Sequence, residues 1–306
     1  MANRKRKGRE VSGWICLDKN AGETSTQAVA SVKRLFGAAK AGHAGTLDPL
    51  ATGALPIALG EATKTVSFVQ DGRKVYRFTV KWGEETDSDD AEGKVVATSA
   101  ARPSADAIAA VLPEFTGEIM QRPPAFSALK IDGQRAYDLA RSGETVELED
   151  RPVSIHRLVL AETPDADRGV FEAECGKGTY VRALARDIGR RLGCLGHVVA
   201  LRRMVVGPFD ERTMVPLARL IDAREAGDAA SLDALLAPVG FVLGELPEIA
   251  VNQSDAARIG RGQSVLIRGR DAPLAAASVQ ATYAGRSLAV GEISEGAFHP
   301  KRVFKG

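Results

Sequence analysis

The sequence predicts an α+β fold: a mixed, largely antiparallel sheet with helices packed against it, followed by a small C-terminal β-barrel. Three observations carry this. From Val75 to Trp82, the apolar residues Tyr76, Phe78, Val80 and Trp82 alternate with Arg77, Thr79 and Lys81, the period of a half-buried strand. Two stretches with helical spacing, starting near Ala28 and Val181, predict amphipathic helices, yet strands and helices do not follow one another as regular βαβ units. After Gly244 only short apolar segments recur between turn residues, which suits a β unit of about 60 residues, close to the lower limit for independent folding.

In chain order, Thr24-Ser25-Thr26-Gln27 reads as a capping box, and Ala28, Val29, Val32, Leu35 and Phe36 form the apolar stripe of a helix that Gly37 ends. That helix delivers the chain to a loop at Gly42 to Gly53. The strand at 75–82 comes next, and Phe171, Ala173 and Cys175 alternate with Glu172 and Glu174 in another, closed by Gly176-Lys177-Gly178. In the helix that follows, Val181, Leu184, Ala185, Ile188 and Leu192 face the core. Arg182, Arg186 and Arg190 recur at i, i+4 and i+8 beside them, a cationic ridge. Alanine- and leucine-rich sequence from Ala218 to Val239 predicts helices that close the first domain. Beyond it, a helical piece near Ser254 to Ile259 precedes strands at Val265 to Arg268, Ser278 to Tyr283 and Ser287 to Ile293, with a turn at Ala284-Gly285-Arg286. The expected organisation is a basic flexible arm (1–10), a main domain (11–244) and a C-terminal domain (245–306).

Composition bounds the class. At 306 residues, two domains are a fair prior, and 44% hydrophobic with 26% charged residues excludes a largely disordered chain. A net charge of +2 is uninformative, so any nucleic-acid partner has to be argued from where the cations cluster. Cys16, Cys175 and Cys194 are scattered and show no CxxC spacing, which points to free thiols in a reducing cytoplasm and offers no metal site. Arg4, Lys5, Arg6, Lys7 and Arg9 precede only a short apolar run broken by Gly13 and Asp18, so neither a signal peptide nor a membrane span is expected there.

The loop Gly42-His43-Ala44-Gly45-Thr46-Leu47-Asp48-Pro49-Leu50-Ala51-Thr52-Gly53 holds one carboxylate among glycines, threonines and a proline that restrict the turn. Local physics alone reads it as a turn that Asp48 initiates. The string, however, resembles the signature GHxGTLDPxATGxL of the TruB family, the tRNA pseudouridine-55 synthases, in which this Asp is the catalytic carboxylate. The resemblance implies a pseudouridine synthase catalytic domain and a PUA-like RNA-binding domain at the C terminus. It implies that Asp48 is the nucleophile in a reaction that breaks a uridine C1′–N1 bond, turns the base and rejoins it through C5. Lys177-Gly178-Thr179-Tyr180-Val181-Arg182 matches the family segment whose arginine, here Arg182, pairs with that Asp. By the same match, Tyr76 stacks on the uracil, Tyr180 lines the uracil pocket, the backbone of Leu201 contacts the base, and His43 meets RNA where the nucleotide leaves its stack. Without the resemblance, Tyr76 and Leu201 read as core, and Arg182 as one rung of the exposed ridge.

Lys19, Thr24 and Ser25 lie in a segment similar to the family's KPxGxTS motif, with Asn20 in place of the proline, and Lys64 falls at a phosphate-contact position. Residues about 120–150 resemble the family's insertion that closes over the T stem-loop, making Lys130, Arg135 and Arg141 clamp candidates. Arg258, Arg261, Arg268, Arg270, Lys301, Arg302 and Lys305 are further cations in reach of phosphate. The implied partner is tRNA, with no cofactor, metal, membrane or obligatory protein partner, and the family suggests a monomer. The insertion and the continuation after Gly53 favour the bacterial-type, stand-alone branch over relatives that work with guide RNA. Thr86-Asp87-Ser88-Asp89-Asp90-Ala91-Glu92-Gly93 lacks the ligand and glycine positions of a calcium loop and reads as a solvated acidic loop. Two rivals stay open at this point: an RNA N-glycosylase using the same carboxylate, and an RNA-binding module in which Asp48 only shapes a turn.

Overall fold

The computed structural model describes residues 8–127, 130–131, 134–135, 148–227, 229–267 and 274–305, with backbone only at 130–131 and 134–135. Its strands, in chain order, are β1 (Gly13–Lys19), β2 (Ala41–His43), β3 (Thr52–Leu59), β4 (Lys74–Trp82), β5 (Glu84–Thr86), β6 (Val95–Thr98), β7 (Gly117–Gln121), β8 (Lys130–Ile131), β9 (Gln134–Arg135), β10 (Arg151–Asp165), β11 (Arg168–Cys175), β12 (Gly196–Val206), β13 (Met214–Pro216), β14 (Glu248–Ala250), β15 (Val265–Leu266), β16 (Ala276–Tyr283), β17 (Arg286–Ser294) and β18 (Ala297–Val303). The helices are α1 (Ser25–Phe36), α2 (Val66–Asp71), α3 (Ala105–Val111), α4 (Val181–Arg191), α5 (Leu217–Glu225), α6 (Ala229–Asp233) and α7 (Gln253–Gly260).

Nine strands form the main sheet in the order β13-β1-β3-β12-β4-β11-β10-β7, with β2 paired to β3. Only β1–β13 and β3–β12 run parallel, so the sheet is mixed and largely antiparallel as the sequence predicts. The central strands β1 and β3 are buried on both faces. Ile15, Leu17, Leu55 and Ile57 enter a core beneath α1, α4 and α5, while Trp14, Cys16, Ala54 and Ala58 enter a second core on the opposite face. Two-sided burial replaces alternation with a continuous apolar run. Further out, β4 keeps Tyr76, Phe78, Val80 and Trp82 in the first core and Arg77, Thr79 and Lys81 half-buried on the other side.

Helix α1 starts at the capping box, with the Thr24 hydroxyl accepting from Gln27 N, and ends at Gly37 in the left-handed region. It buries Ala28, Val32 and Phe36, worth about 1.5–3 kcal/mol for each of the two larger side chains. The C-terminal sheet, β14-β16-β17-β18-β15, is the small PUA-like unit expected. The positive φ of Ala284 and Gly285 makes the tight turn between β16 and β17. Strands β14 and β18 went unforeseen, because Pro247 beside one and Pro300 within the other mask the pattern. Val290 and Phe304 join the second core, and Arg302 donates to Lys64 O and Ser67 Oγ, so this unit is docked on the main sheet.

One expectation at the N terminus changes. Arg9 is not part of a free arm: it forms a two-pronged pair with Asp233 and donates to Phe36 O. Residues 1–7, with the other four cations of that arm, lie outside the described residues, as do Arg268 and Arg270. No helix among the described residues is long and apolar enough to cross a membrane.

Candidate functional site

Strand β2 ends at His43, and the chain crosses residues 44–51 before entering β3, which presents Asp48 at the loop's tip. Three buried polar side chains hold the loop from below. Ser25 Oγ accepts from Leu47 N at 2.8 Å and donates to Leu47 O at 2.9 Å, tying α1 to the residue before Asp48. Lys19 Nζ donates to the carbonyls of Asn20, Pro49 and Ala51 at 2.8, 3.2 and 2.7 Å. Arg203, only 1% exposed, donates to the carbonyls of Gly45, Thr46 and Ala54. Gly53 is required by geometry: its φ is +94°, and a Cβ there would sit 2.3 Å from Arg203 O. Main-chain carbonyls that would otherwise be left dry are thereby satisfied, and the carboxylate is presented rigidly.

Arg182, in the first turn of α4, meets Asp48 two-pronged: Nε lies 2.9 Å from Oδ2 and Nη2 donates to Oδ1 at 3.0 Å. The arginine side chain is 5% exposed and the aspartate 32%, so the pair is anchored from inside while the carboxylate edge reaches solvent. The remaining Arg182 donors go to Ser88 O at 2.8 Å, Phe126 O at 2.9 Å and Asp90 Oδ2 at 3.3 Å. Arg186 is likewise buried and paired with Asp89 at 2.8 Å; only Arg190 lies on the surface, paired with Glu85. The expected cationic ridge is therefore neutralised by carboxylates and mostly inward. The acidic loop is corrected with it. Asp89 and Asp90 are buried opposite the arginines, and β12 stitches them in place through Val198 N to Asp89 O and Ala91 N to Val198 O. Burial pushes the Asp89 carboxyl up to about 6, opposed by Arg186 and Arg182.

Tyr76 on β4 stands opposite Arg203 on β12 and is 8% exposed. Burial raises its phenol pKa, while the nearby positive charge of the Arg203 guanidinium opposes the rise. Tyr180 precedes the first residue of α4; its N–H donates to Gln121 Oε1 and its carbonyl accepts from Gln121 Nε2. Burial raises the Tyr180 phenol too, opposed by the nearby Ser127 hydroxyl and Arg182 guanidinium. Both phenols lie within the field of Asp48. Leu201 is buried on β12, with its carbonyl 3.4 Å from Thr52 Oγ1 at the start of β3. Asp48, Arg182, Tyr76 and Tyr180 thus come from the loop, α4 and β4 to one region, while Leu201 lies on β12, the strand beside β4, and half-buried His43 ends β2.

Other candidates are placed differently. Lys19 is 1% exposed and donates to three carbonyls, and burial lowers its pKa, so its ammonium is spent on supporting the loop. Thr24 is spent on the helix cap and Ser25 on Leu47. Lys64 donates to Glu61 and to Val303 O in a separate groove of about 720 Å³, shared with Lys40, Arg261, Lys301, Arg302 and Lys305. The side chains of Lys130 and Arg135, and all of Arg141, lie outside the described residues. Among the described residues no three His, Cys, Asp or Glu side chains gather as metal ligands. Sequence reasoning missed Asp89, Asp90, Gln121 and the support role of Arg203. The only available signal was an acidic run whose charge matches the arginines spaced four apart.

Comparison with solved structures first defines the class. The chain superposes on a chain of a Cbf5–Nop10–Gar1 complex with a TM-score of 0.73 and 26% identity, covering 96% of this chain and 85% of that one. A chain of an archaeal box H/ACA Nop10–Cbf5 complex shares the fold with a TM-score of 0.71, over 99% of this chain and 93% of the other. Residues 33–181 match the N-terminal domain of the TruB family pseudouridylate synthases, and residues 182–243 match the tRNA pseudouridylate synthase B C-terminal domain. The tRNA pseudouridine synthase B of Nitrobacter winogradskyi is 63% identical over 98% of this chain and 84% of its own length; that of Agrobacterium fabrum is 57% identical over 99% and 97%. The chain belongs to the TruB family of pseudouridylate synthases.

Proposed function

We propose that this chain isomerises one tRNA uridine, position 55 of the T loop, to pseudouridine, with Asp48 as nucleophile. The observation that carries the reading is the Asp48–Arg182 pair: a carboxylate held two-pronged from the buried side, partly open to solvent, on a loop tied down by Ser25, Lys19 and Arg203. Family membership and the names of the relatives support tRNA as substrate.

In the proposed reaction the target nucleotide leaves its stack, at a cost of a few kcal/mol that contacts elsewhere offset. Asp48 then forms a transient covalent bond to the nucleotide, the C1′–N1 bond breaks, the uracil turns and C5 bonds to C1′; the bond to Asp48 breaks to restore the carboxylate, and the C5 proton leaves to solvent while N1 gains one. Arg182 holds the carboxylate in line and carries its counter-charge when the base departs. Tyr76 packs against the base from β4, Tyr180 and the Leu201 backbone line the pocket, and His43 borders the entrance. Lys64 and the cations of its groove meet phosphates further along the tRNA, and the insertion at about 120–150, with Lys130, Arg135 and Arg141, closes over the T stem. The catalytic domain is 11–244 and the PUA-like RNA-binding domain 245–306. The enzyme acts in the cytoplasm as a monomer, without cofactor, guide RNA or obligatory protein partner.

The test is to incubate an unmodified tRNA transcript with the protein and map the product by carbodiimide modification and primer extension. A single new stop at position 55 is expected. A stop elsewhere would overturn the target, and free uracil with an abasic site would replace isomerisation by glycosidic cleavage.

A further inference from the structure

Helix α4 carries two buried arginines one turn apart, and both donate to the same short strap of chain, residues 121–127. Arg182 Nη2 donates to Phe126 O at 2.9 Å and to Asp48 Oδ1 at 3.0 Å. One turn on, Arg186 Nη2 donates to Arg122 O at 2.8 Å, and its Nη1 meets Asp89 at 2.8 Å. Its Nε and Nη2 also meet Asp187. Gln121, 2% exposed, closes the upper end through two bonds to the Tyr180 backbone. The strap leaves the sheet at the β7–β10 pair, where Arg122 also meets Asp150 at 2.9 Å. Thus the chain entering the segment at about 120–150 lies along α4, and the acidic loop lies on the same helix face.

We propose that Arg186 is a positioning residue for the reaction: by gripping the Arg122 carbonyl and Asp89 together, it sets the strap and the acidic loop against α4 so that Arg182 reaches Asp48 two-pronged. This rests on Asp48 being the nucleophile. Arg186 has no hydrogen bond or ion pair with Asp48 among the described residues, so its action is transmitted. Arg182 takes Phe126 O from the strap, and Ser88 O and Asp90 from the acidic loop, and both segments are anchored one turn away by Arg186. A strap that lifts would remove one acceptor from the same Nη2 that holds Asp48. The pair would then lose the alignment on which the reaction depends.

The test compares Arg186→Lys, and the double change Arg186→Met with Asp89→Asn, in the full chain with excess enzyme and a tRNA transcript tritiated at uridine C5. Lysine keeps a cation beside Asp89 and Asp187 but cannot also hold Arg122 O, and the double change removes both charges of one pair. The expected result is a single-turnover rate lower by about tenfold or more at saturating enzyme, with tRNA affinity unchanged within about twofold and cooperative unfolding retained. A wild-type saturating rate in folded Arg186→Lys would overturn the proposal, as would a loss confined to affinity. If the double change does not fold, Arg186→Lys decides alone. Tritium release that survives Asp48→Asn would instead strike the underlying assignment, which separates the two failures.

Discussion

Ser25 makes no contact with the proposed chemistry except through the loop, and Ser25→Ala tests whether that loop is held as described. The hydroxyl satisfies both Leu47 N and Leu47 O, at 2.8 and 2.9 Å, in a site 3% exposed. Alanine removes both bonds without admitting a replacement, and each buried main-chain group left dry costs about 1–3 kcal/mol. Allowing for relaxation, a loss on the order of 2–4 kcal/mol follows, or roughly 4–16 °C in the unfolding midpoint. Leu47 immediately precedes Asp48, so a misplaced loop also lowers the single-turnover rate by about tenfold or more. Thermal unfolding and C5 tritium release measure the two effects. A midpoint within about 1 °C of wild type together with an unchanged rate would show that the loop is held by something else.

Gly53→Ala forces a side chain into φ +94° with a Cβ 2.3 Å from Arg203 O, and should cost more than about 2 kcal/mol by chemical denaturation; Gly22→Ala, at φ +81° but facing open space, should cost only the conformational part, about 1–2 kcal/mol. Arg182→Met strips the cation from Asp90, whose side chain is 4% exposed, and from Asp48; about 3–5 kcal/mol of stability is lost with activity, and undiminished stability would contradict the described network. For pH, Asp89 is raised from 3.8 to about 6, so the folded state binds the extra proton between those values. Relative to Asp89→Asn, the wild type should therefore lose stability as pH rises through that window, by up to about 3 kcal/mol, and keep a constant difference above it. A difference in unfolding free energy that is flat from pH 4 to 7 would show Asp89 to be unperturbed.

Legibility followed physical environment. Strand β4 and helices α1 and α4 could be read because one face of each meets the core and the other meets water or charge, which writes a period into the residues. Strands β1 and β3 could not, since cores on both faces erase the period. The residues around Asp48 were identified by the resemblance to a family, and the pairing with Arg182 then appeared in the structure. Their supports were misassigned for one reason. Lys19, Ser25 and Arg186 are polar types that usually face solvent, yet each is buried against carbonyls or carboxylates brought from distant elements. The acidic loop looked solvated on the same ground, because its partners lie about 90 residues away on α4.

The central claim is that Asp48 performs the base rearrangement. The measurement that tests it most directly is tritium release from a tRNA transcript labelled at uridine C5, with wild type and Asp48→Asn compared at matched tRNA occupancy. Release by the wild type, and none by Asp48→Asn despite retained binding, is the predicted result. Equal release by both proteins would contradict the assignment of Asp48, and release by neither would remove the isomerase reading altogether.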